Sequence, residues 1–422
     1  MSSSAPESFA VIGGEGFLGA ALIDELHKRH PVSQVASFGL TQRHFSPDGY
    51  RFFRTDITSL SSLAASLRDS GATTVFHTAS PHALATPEVW QKVNVEGTKL
   101  VIRACREAGV KKLVFTSSMT VAYEFGVDMK NVDERLPRIN TDGPATYEGT
   151  KAQAEELILA ANGKDGLLTC SLRLGGLIGP GDRQVLPGFV GVYNSGQSAF
   201  QMGSNQNLFD FVTVKNAVHA HLLAAERLDA LPLPASSFNT RLPPVASTVP
   251  RRALPSSRHP DVVDRSSPPA EQDPPLPASR NRFNQFFDVP EPLAVAGQAF
   301  YITNGEPVPF WSMARAVYHA YSGRPQRWWD PIVLPGSVGM FFATLSEWAG
   351  WLQGKRPLEC GVNRAYMQFV LVDMYCDIER ARRMLGYEPV ETLADGIKSG
   401  VEWYKLDEAK QQQRQREQAK SK

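Results

Sequence analysis

"FAVIGGEGFLGAALIDEL", residues 9–26, decides the fold. Four apolar residues suited to a buried strand run directly into glycines at 13, 16 and 19, and then into a helical pattern with apolar side chains at Leu18, Leu22, Ile23 and Leu26. That order supplies a tight turn, a backbone that approaches a pyrophosphate, and a helix packed closely on its strand with its N-terminus facing the anion. Three glycines alone are a weak signal. Their place between a first strand and a first helix makes Gly13, Gly16, Phe17, Leu18 and Gly19 a candidate dinucleotide-binding loop.

Outward from that loop, short apolar runs such as "VASFGL", "TVFHTAS", "KLVFTSS" and "LTCSLRLGGLIG" alternate with helical patterns such as "SLAASLRDSG", "TKLVIRACREAG" and "AVHAHLLAAERL". Strands separated by crossover helices predict an α/β fold with a doubly wound parallel sheet (Rossmann) and a smaller C-terminal substrate region. We divide the chain into a core at 1–230, a proline-rich insert at 231–296, a C-terminal region at 297–405 and a charged tail at 406–422 that reads as a fraying helix end. The insert has few large apolar residues with which to offset ordering costs of about 1–2 kcal/mol per residue, so disorder is expected there. Its composition fits a translated non-coding segment as well as a true linker.

Composition excludes several classes. Forty-four basic residues against forty-three acidic ones give a net charge of +1, which argues against a nucleic-acid partner. Cys105, Cys170, Cys360 and Cys376 are scattered, so neither a metal site nor a disulfide framework is expected, and a reducing compartment fits. "MSSSAPESF" carries no basic or apolar leader signature. No repeat with a period of 20–50 residues is present.

The end of the second strand bears on the cofactor's kind. In such folds an acidic residue at the end of the second strand accepts the ribose 2′-hydroxyl, and here that position is Gly39. Arg43, just downstream, is a candidate for a 2′-phosphate, which leans the reading toward NADP over NAD; a solvated loop arginine is the plain alternative. Asp56 and Ile57 in "RTDITS" are candidates to border the adenine, with a generic turn aspartate as the alternative. Ala79, followed by Ser80, ends a strand that faces the cofactor.

"ATYEGTKAQAEE", residues 145–156, sets Tyr147 and Lys151 four apart at the start of a helix. Such pairs are common on solvated faces. With the glycine loop and "LVFTSS" upstream, Tyr147, Lys151 and Ser118 form a candidate catalytic set: a base, the ammonium that makes it one, and a donor to the substrate oxygen. Thr116 is the alternative to Ser118. Asn94 in "VNVEGT" orders the helix or a water near the site, or merely caps the core.

The GxxGxxG loop, "VNVEGT", "TSS" and "YEGTK" together resemble the extended short-chain dehydrogenase/reductase superfamily. "GPGD", "NLFDFVTVKNAVHAHLLA", "FYITNGEPVPFW" and "IERARRMLGYEP" narrow the resemblance to the 3β-hydroxysteroid dehydrogenase group, and most closely to the sterol-4α-carboxylate 3-dehydrogenases. It covers nearly the whole chain apart from the insert and the extreme ends. The resemblance implies NAD(P)-dependent oxidation of a 4α-carboxysterol to its 3-ketone with loss of carbon dioxide. It also implies a place at the cytosolic face of the endoplasmic reticulum beside partners in sterol demethylation, with the cytoplasm as the alternative. Rival readings are a 3β-hydroxysteroid or secondary-metabolite oxidoreductase without decarboxylation, a nucleotide-sugar enzyme, and an NADP-sensing regulator without catalysis. The chain departs from the family at Leu174, where proline is common after Arg173, and in the length of the insert.

In "RWWDPIVLPGSVGMFFATLSEWAGWLQG", residues 327–354, Val338, Phe341, Phe342, Leu345, Trp348 and Leu352 recur at helical spacing, while Ser346 and Glu347 break any fully apolar span. This predicts a helix lying in a membrane interface, or one buried over the substrate pocket.

Overall fold

The computed structural model describes residues 7–31, 34–43, 50–82, 85–139, 141, 145–233, 293–324, 331–357, 360 and 362–420. Seven parallel strands form the central sheet: β1 (Phe9–Ile12), β2 (Val35–Gly39), β3 (Arg51–Arg54), β4 (Thr74–His77), β5 (Lys112–Ser118), β6 (Leu168–Leu174) and β7 (Ala299–Ile302). They lie in the order β7-β6-β5-β4-β1-β2-β3. The direction of winding reverses between β1 and β4, and ligands bind such sheets at the carboxyl ends of the strands beside that point.

Alternating side chains leave the sheet on opposite faces, and each face has its own core. Phe9 and Val11 of β1 join Leu22, Ile23 and Leu26 of helix α1 (Phe17–Arg29) in one cluster. Ala10 and Ile12 join Leu63 and Leu67 of α2 (Leu60–Ser70), Val101 of α3 (Gly97–Ala108), and Ala154 and Ile158 of α4 (Tyr147–Ala160) in the other. Helix α2 shows how locally the boundaries are set: the Ser59 hydroxyl accepts the Ser62 amide at one end, and Gly71 closes the other at φ +66°. The expected doubly wound architecture is present.

Both ends of the insert meet the fold. The insert was drawn as 231–296, yet Leu233 and Leu293 form an antiparallel bridge with N···O distances of 2.9 and 3.2 Å, and Leu293 and Val295 are buried in the first core. Its last residues therefore belong to the fold, and residues 234–292 lie outside the described ones. The tail, read as a helix end, is helical. One helix runs from Leu393 to Lys420, because Gln, Glu, Lys, Arg and Ala are strong helix formers and i,i+4 bonds such as Gln411 to Asp407 at 2.7 Å reinforce it.

The stretch at 336–352 is a helix whose buried residues are Gly339, Ala343 and Gly350. Its large side chains face outward, with Phe341 65%, Trp348 60% and Trp351 69% exposed. Among the described residues no helix is long and apolar enough to cross a membrane.

Candidate functional site

The glycine loop sits at the end of β1 against the end of β4. Gly13 has φ +89°, and a Cβ there would fall 2.7 Å from the Ala79 amide nitrogen, so only glycine fits. Gly19 packs so closely on the Gly13 carbonyl and Gly14 Cα that any side chain would collide with backbone. Helix α1 begins after Gly16 with no side-chain cap and no acidic residue in its first turn. Its amide groups and the helix dipole are thus presented to an anion, and the loop fits a dinucleotide's pyrophosphate.

Ala79 covers Gly13. Ile57 packs on Gly97 at the start of α3, 3.2 Å from where a Cβ would be. The Asp56 carboxylate accepts the Thr58 amide and hydroxyl, both at 2.8 Å; these bonds lower its pKa and make it a turn residue after β3. Arg43 is exposed, and its backbone amide donates to Glu15.

Tyr147 opens α4, where the Thr146 hydroxyl accepts the Gly149 amide and fixes the helix start. The Tyr147 hydroxyl lies near both Ser118 and Ser80, whose hydroxyls favour its ionised form. Ser118 ends β5 and binds the Thr120 hydroxyl at 2.8 Å. Its neighbour Ser117 is buried on the opposite face toward Glu155, and the Thr116 hydroxyl is bonded to His221 at 2.8 Å, so of the three it is Ser118 that faces Tyr147.

Asn94 lies on a wide, π-type turn, Gln91–Glu96, and is buried. It accepts from the Ser80 hydroxyl at 3.2 Å and donates to the Thr150 hydroxyl at 3.1 Å, and Thr150 in turn donates to the Tyr147 carbonyl at 3.0 Å. A chain of bonds therefore runs from Ser80 through Asn94 and Thr150 to the Tyr147 carbonyl. Thr150 was not singled out from the sequence, although three residues of helix from Tyr147 put its hydroxyl on that carbonyl.

Lys151 is one turn beyond Tyr147 and 3% exposed. Its ammonium donates to the Thr116 carbonyl at 2.6 Å and lies 4.5 Å from the centre of the Phe115 ring. Burial pulls its pKa from 10.5 down to about 7, against the charge of Glu155. Burial and the charge of Glu148 push Tyr147 up to about 12, while Ser80 and Ser118 draw it down. His77, close by, is held near 3 by burial and by Lys151, and stays neutral.

The model of the "3-beta hydroxysteroid dehydrogenase/isomerase family" matches residues 10–237. The chain belongs to this family. Among curated members, it is 32% identical to "Sterol-4-alpha-carboxylate 3-dehydrogenase, decarboxylating" of Schizosaccharomyces pombe over 94% of this chain and 98% of that one. The Saccharomyces cerevisiae protein of the same name is 32% identical over 94% and 97%, and the Homo sapiens protein 29% over 94% and 87%. Among solved structures, gox2253 superposes with a TM-score of 0.63 at 20% identity over 95% of this chain and 99% of that one. Thermus thermophilus UDP-glucose 4-epimerase in complex with NAD gives 0.59 at 18% over 94% and 99%. At such identities these structures speak to the fold, and both share it.

Proposed function

We propose that this family member is an NAD(P)-dependent dehydrogenase that oxidises the 3β-hydroxyl of a 4α-carboxysterol to a 3-ketone with loss of carbon dioxide. What supports the reading most is the placement of Tyr147 and Lys151 one turn apart at the start of α4, with Ser118 near Tyr147 at the carboxyl end of β5. Nearly full-length likeness to decarboxylating sterol dehydrogenases supports it.

Tyr147 removes the proton from the substrate hydroxyl. The base is the phenolate, and with the hydroxyl's pKa pushed up to about 12 little of it forms near neutrality, so it depends on positive charge nearby. Lys151, buried four residues on, provides that charge. A bound oxidised nicotinamide supplies the hydride acceptor and a second positive charge. Ser118 donates to the substrate oxygen, and the chain of bonds from Ser80 through Asn94 and Thr150 to the Tyr147 carbonyl holds the helix start that carries the phenol.

Oxidation leaves a ketone β to the carboxylate. The bond to the carboxyl carbon then breaks, its electron pair delocalises onto the ketone oxygen as an enolate, and protonation of the adjacent carbon yields the ketone. Donors to that oxygen, Ser118 among them, favour the step. The test is a 4α-carboxysterol labelled at its carboxyl carbon. Release of labelled gas in step with NAD(P)H formation is expected, and turnover of plain 3β-hydroxysteroids with none of the carboxysterol would overturn the substrate assignment.

We also infer peripheral contact with the cytosolic face of the endoplasmic reticulum, beside other sterol-demethylating enzymes. The exposed Phe341, Phe342, Leu345, Trp348, Trp351 and Leu352 support it, together with Ile332 and Val333 just upstream. A few such side chains at about 1.5–3 kcal/mol each suffice for reversible insertion into an interface that also dissolves the substrate.

A further inference from the structure

We propose that Glu15, carried on the glycine loop, takes the place of the acidic residue missing at Gly39 and selects NAD over NADP. The inference rests on the dinucleotide reading and goes beyond it.

Gly39 is the last residue of β2, where a carboxylate would meet the adenosine ribose. The structure puts a carboxylate there from another direction. A Cβ built on Gly39 would lie 3.0 Å from Glu15 Cγ and 3.6 Å from Glu15 Cβ, so the Glu15 side chain fills the volume that a longer residue at position 39 would use. Its carboxylate accepts from the Ser37 hydroxyl at 2.5 Å, from the Arg43 backbone amide at 2.5 Å, and from the Tyr50 hydroxyl at 3.0 and 3.2 Å. Ser37 is on β2 and buried, and Tyr50 immediately precedes β3. The anionic group is thereby held at the end of β2, while its own Cα stays in the loop that receives the pyrophosphate.

A ribose 2′-hydroxyl is a donor of the same kind as those of Ser37 and Tyr50, and it finds an acceptor here. A 2′-phosphate brings a second anion to the same place and is repelled. Arg43 meets Glu15 through its backbone amide, so the feature that favoured NADP in the sequence contributes a bond to the carboxylate that disfavours it.

The experiment is fluorescence titration of the purified full-length protein with NADH and with NADPH. The unmodified protein is expected to bind NADH roughly tenfold or more tightly than NADPH. Glu15→Gln should bring the two affinities within about threefold, with melting temperature as the check on folding. In Gly39→Asp with Glu15→Ala, the acid returns to the strand in the space just vacated, and the NADH preference should return; this variant carries the test if Glu15→Gln does not fold. Arg43→Ala should leave the ratio unchanged. NADPH binding as tight as NADH in the unmodified protein, an unaltered ratio in Glu15→Gln, an NADPH preference in the double variant, or a selective loss of NADPH in Arg43→Ala would each overturn the proposal. Failure to bind either nucleotide would overturn the dinucleotide reading as well, whereas binding without discrimination overturns this inference alone.

Discussion

Replacing Lys151 with methionine should make the protein inactive and more stable at once. The ammonium is 3% exposed, and its pKa falls from 10.5 to about 7 chiefly through burial. That difference, at about 1.36 kcal/mol per pH unit, makes protonation in the fold cost about 4–5 kcal/mol more than in the unfolded chain. Methionine has nearly the same length and no charge to desolvate. Against that gain the variant loses the bond to the Thr116 carbonyl, about 1.5–3 kcal/mol for a charged donor, and the contact with the Phe115 ring, about 0.5–1 kcal/mol. A net stabilisation of about 1–2 kcal/mol at pH 7 remains.

The pH dependence follows from the same shift. Because the folded chain binds this proton more weakly, the unfolded chain holds more protons between pH 7 and 10.5, and the unmodified protein gains stability as pH rises through that window. The variant has no such gain. Its advantage is therefore largest at and below about pH 7, and the two stabilities should cross between about pH 8 and 9. Urea denaturation at pH 6.5, 7.5, 8.5 and 9.5 measures this. A variant less stable than its parent at pH 7, or a difference that does not move with pH, would refute the argument that Lys151 is a desolvated cation.

Tyr147→Phe should lower turnover by about 10²–10⁴ while leaving NADH binding within about threefold, measured by steady-state kinetics and fluorescence titration; retained turnover would remove Tyr147 as the base. Deleting residues 236–290 and joining the ends with a short Gly-Ser link should leave melting temperature and activity nearly unchanged, because the Leu233–Leu293 bridge already brings the two ends together; a large drop in either would show that the segment packs. Phe341→Ser combined with Trp348→Ser should abolish flotation with liposomes yet preserve turnover of detergent-dispersed substrate. Unchanged flotation would count against the interfacial helix.

What was legible in the sequence was mostly local. Gly13 and Gly19 announce themselves because a strand-to-helix turn cannot hold side chains there, and Tyr147 and Lys151 because four residues of helix are one turn. Contacts between distant segments were not legible. Gly39 reads as a missing acid, and only the packing of Glu15 over it shows where the carboxylate went. Helical periodicity predicted the apolar face at 336–352, but burial or exposure of that face depends on neighbours that periodicity does not encode. Leu293 and Val295 were assigned to the insert because their sequence neighbours are prolines and polar residues; the core that buries them comes from elsewhere in the chain.

The departure at Leu174 bears on the charge at the site. Leu174 continues β6, pairing with Ser118 on one side and Ile302 on the other, and the strand carries Arg173 into the interior. There the guanidinium meets Glu155 at 2.7 and 3.1 Å, with Ser171 adding a bond at 2.9 Å. Glu155 is four residues beyond Lys151 on α4, the spacing at which a carboxylate ordinarily pairs with a lysine. Burial would raise Glu155, but Arg173 holds its pKa below the usual value and keeps its carboxylate charged. Committed to Arg173, that carboxylate leaves the ammonium with a carbonyl and an aromatic ring, partners that do not cancel its charge. The Arg173–Glu155 pair thus belongs to the core by position and to the site by consequence: Glu155 bonds Arg173 and acts on Lys151 only through its charge, which favours the ammonium against burial, while the direct bond of Lys151 goes to the Thr116 carbonyl.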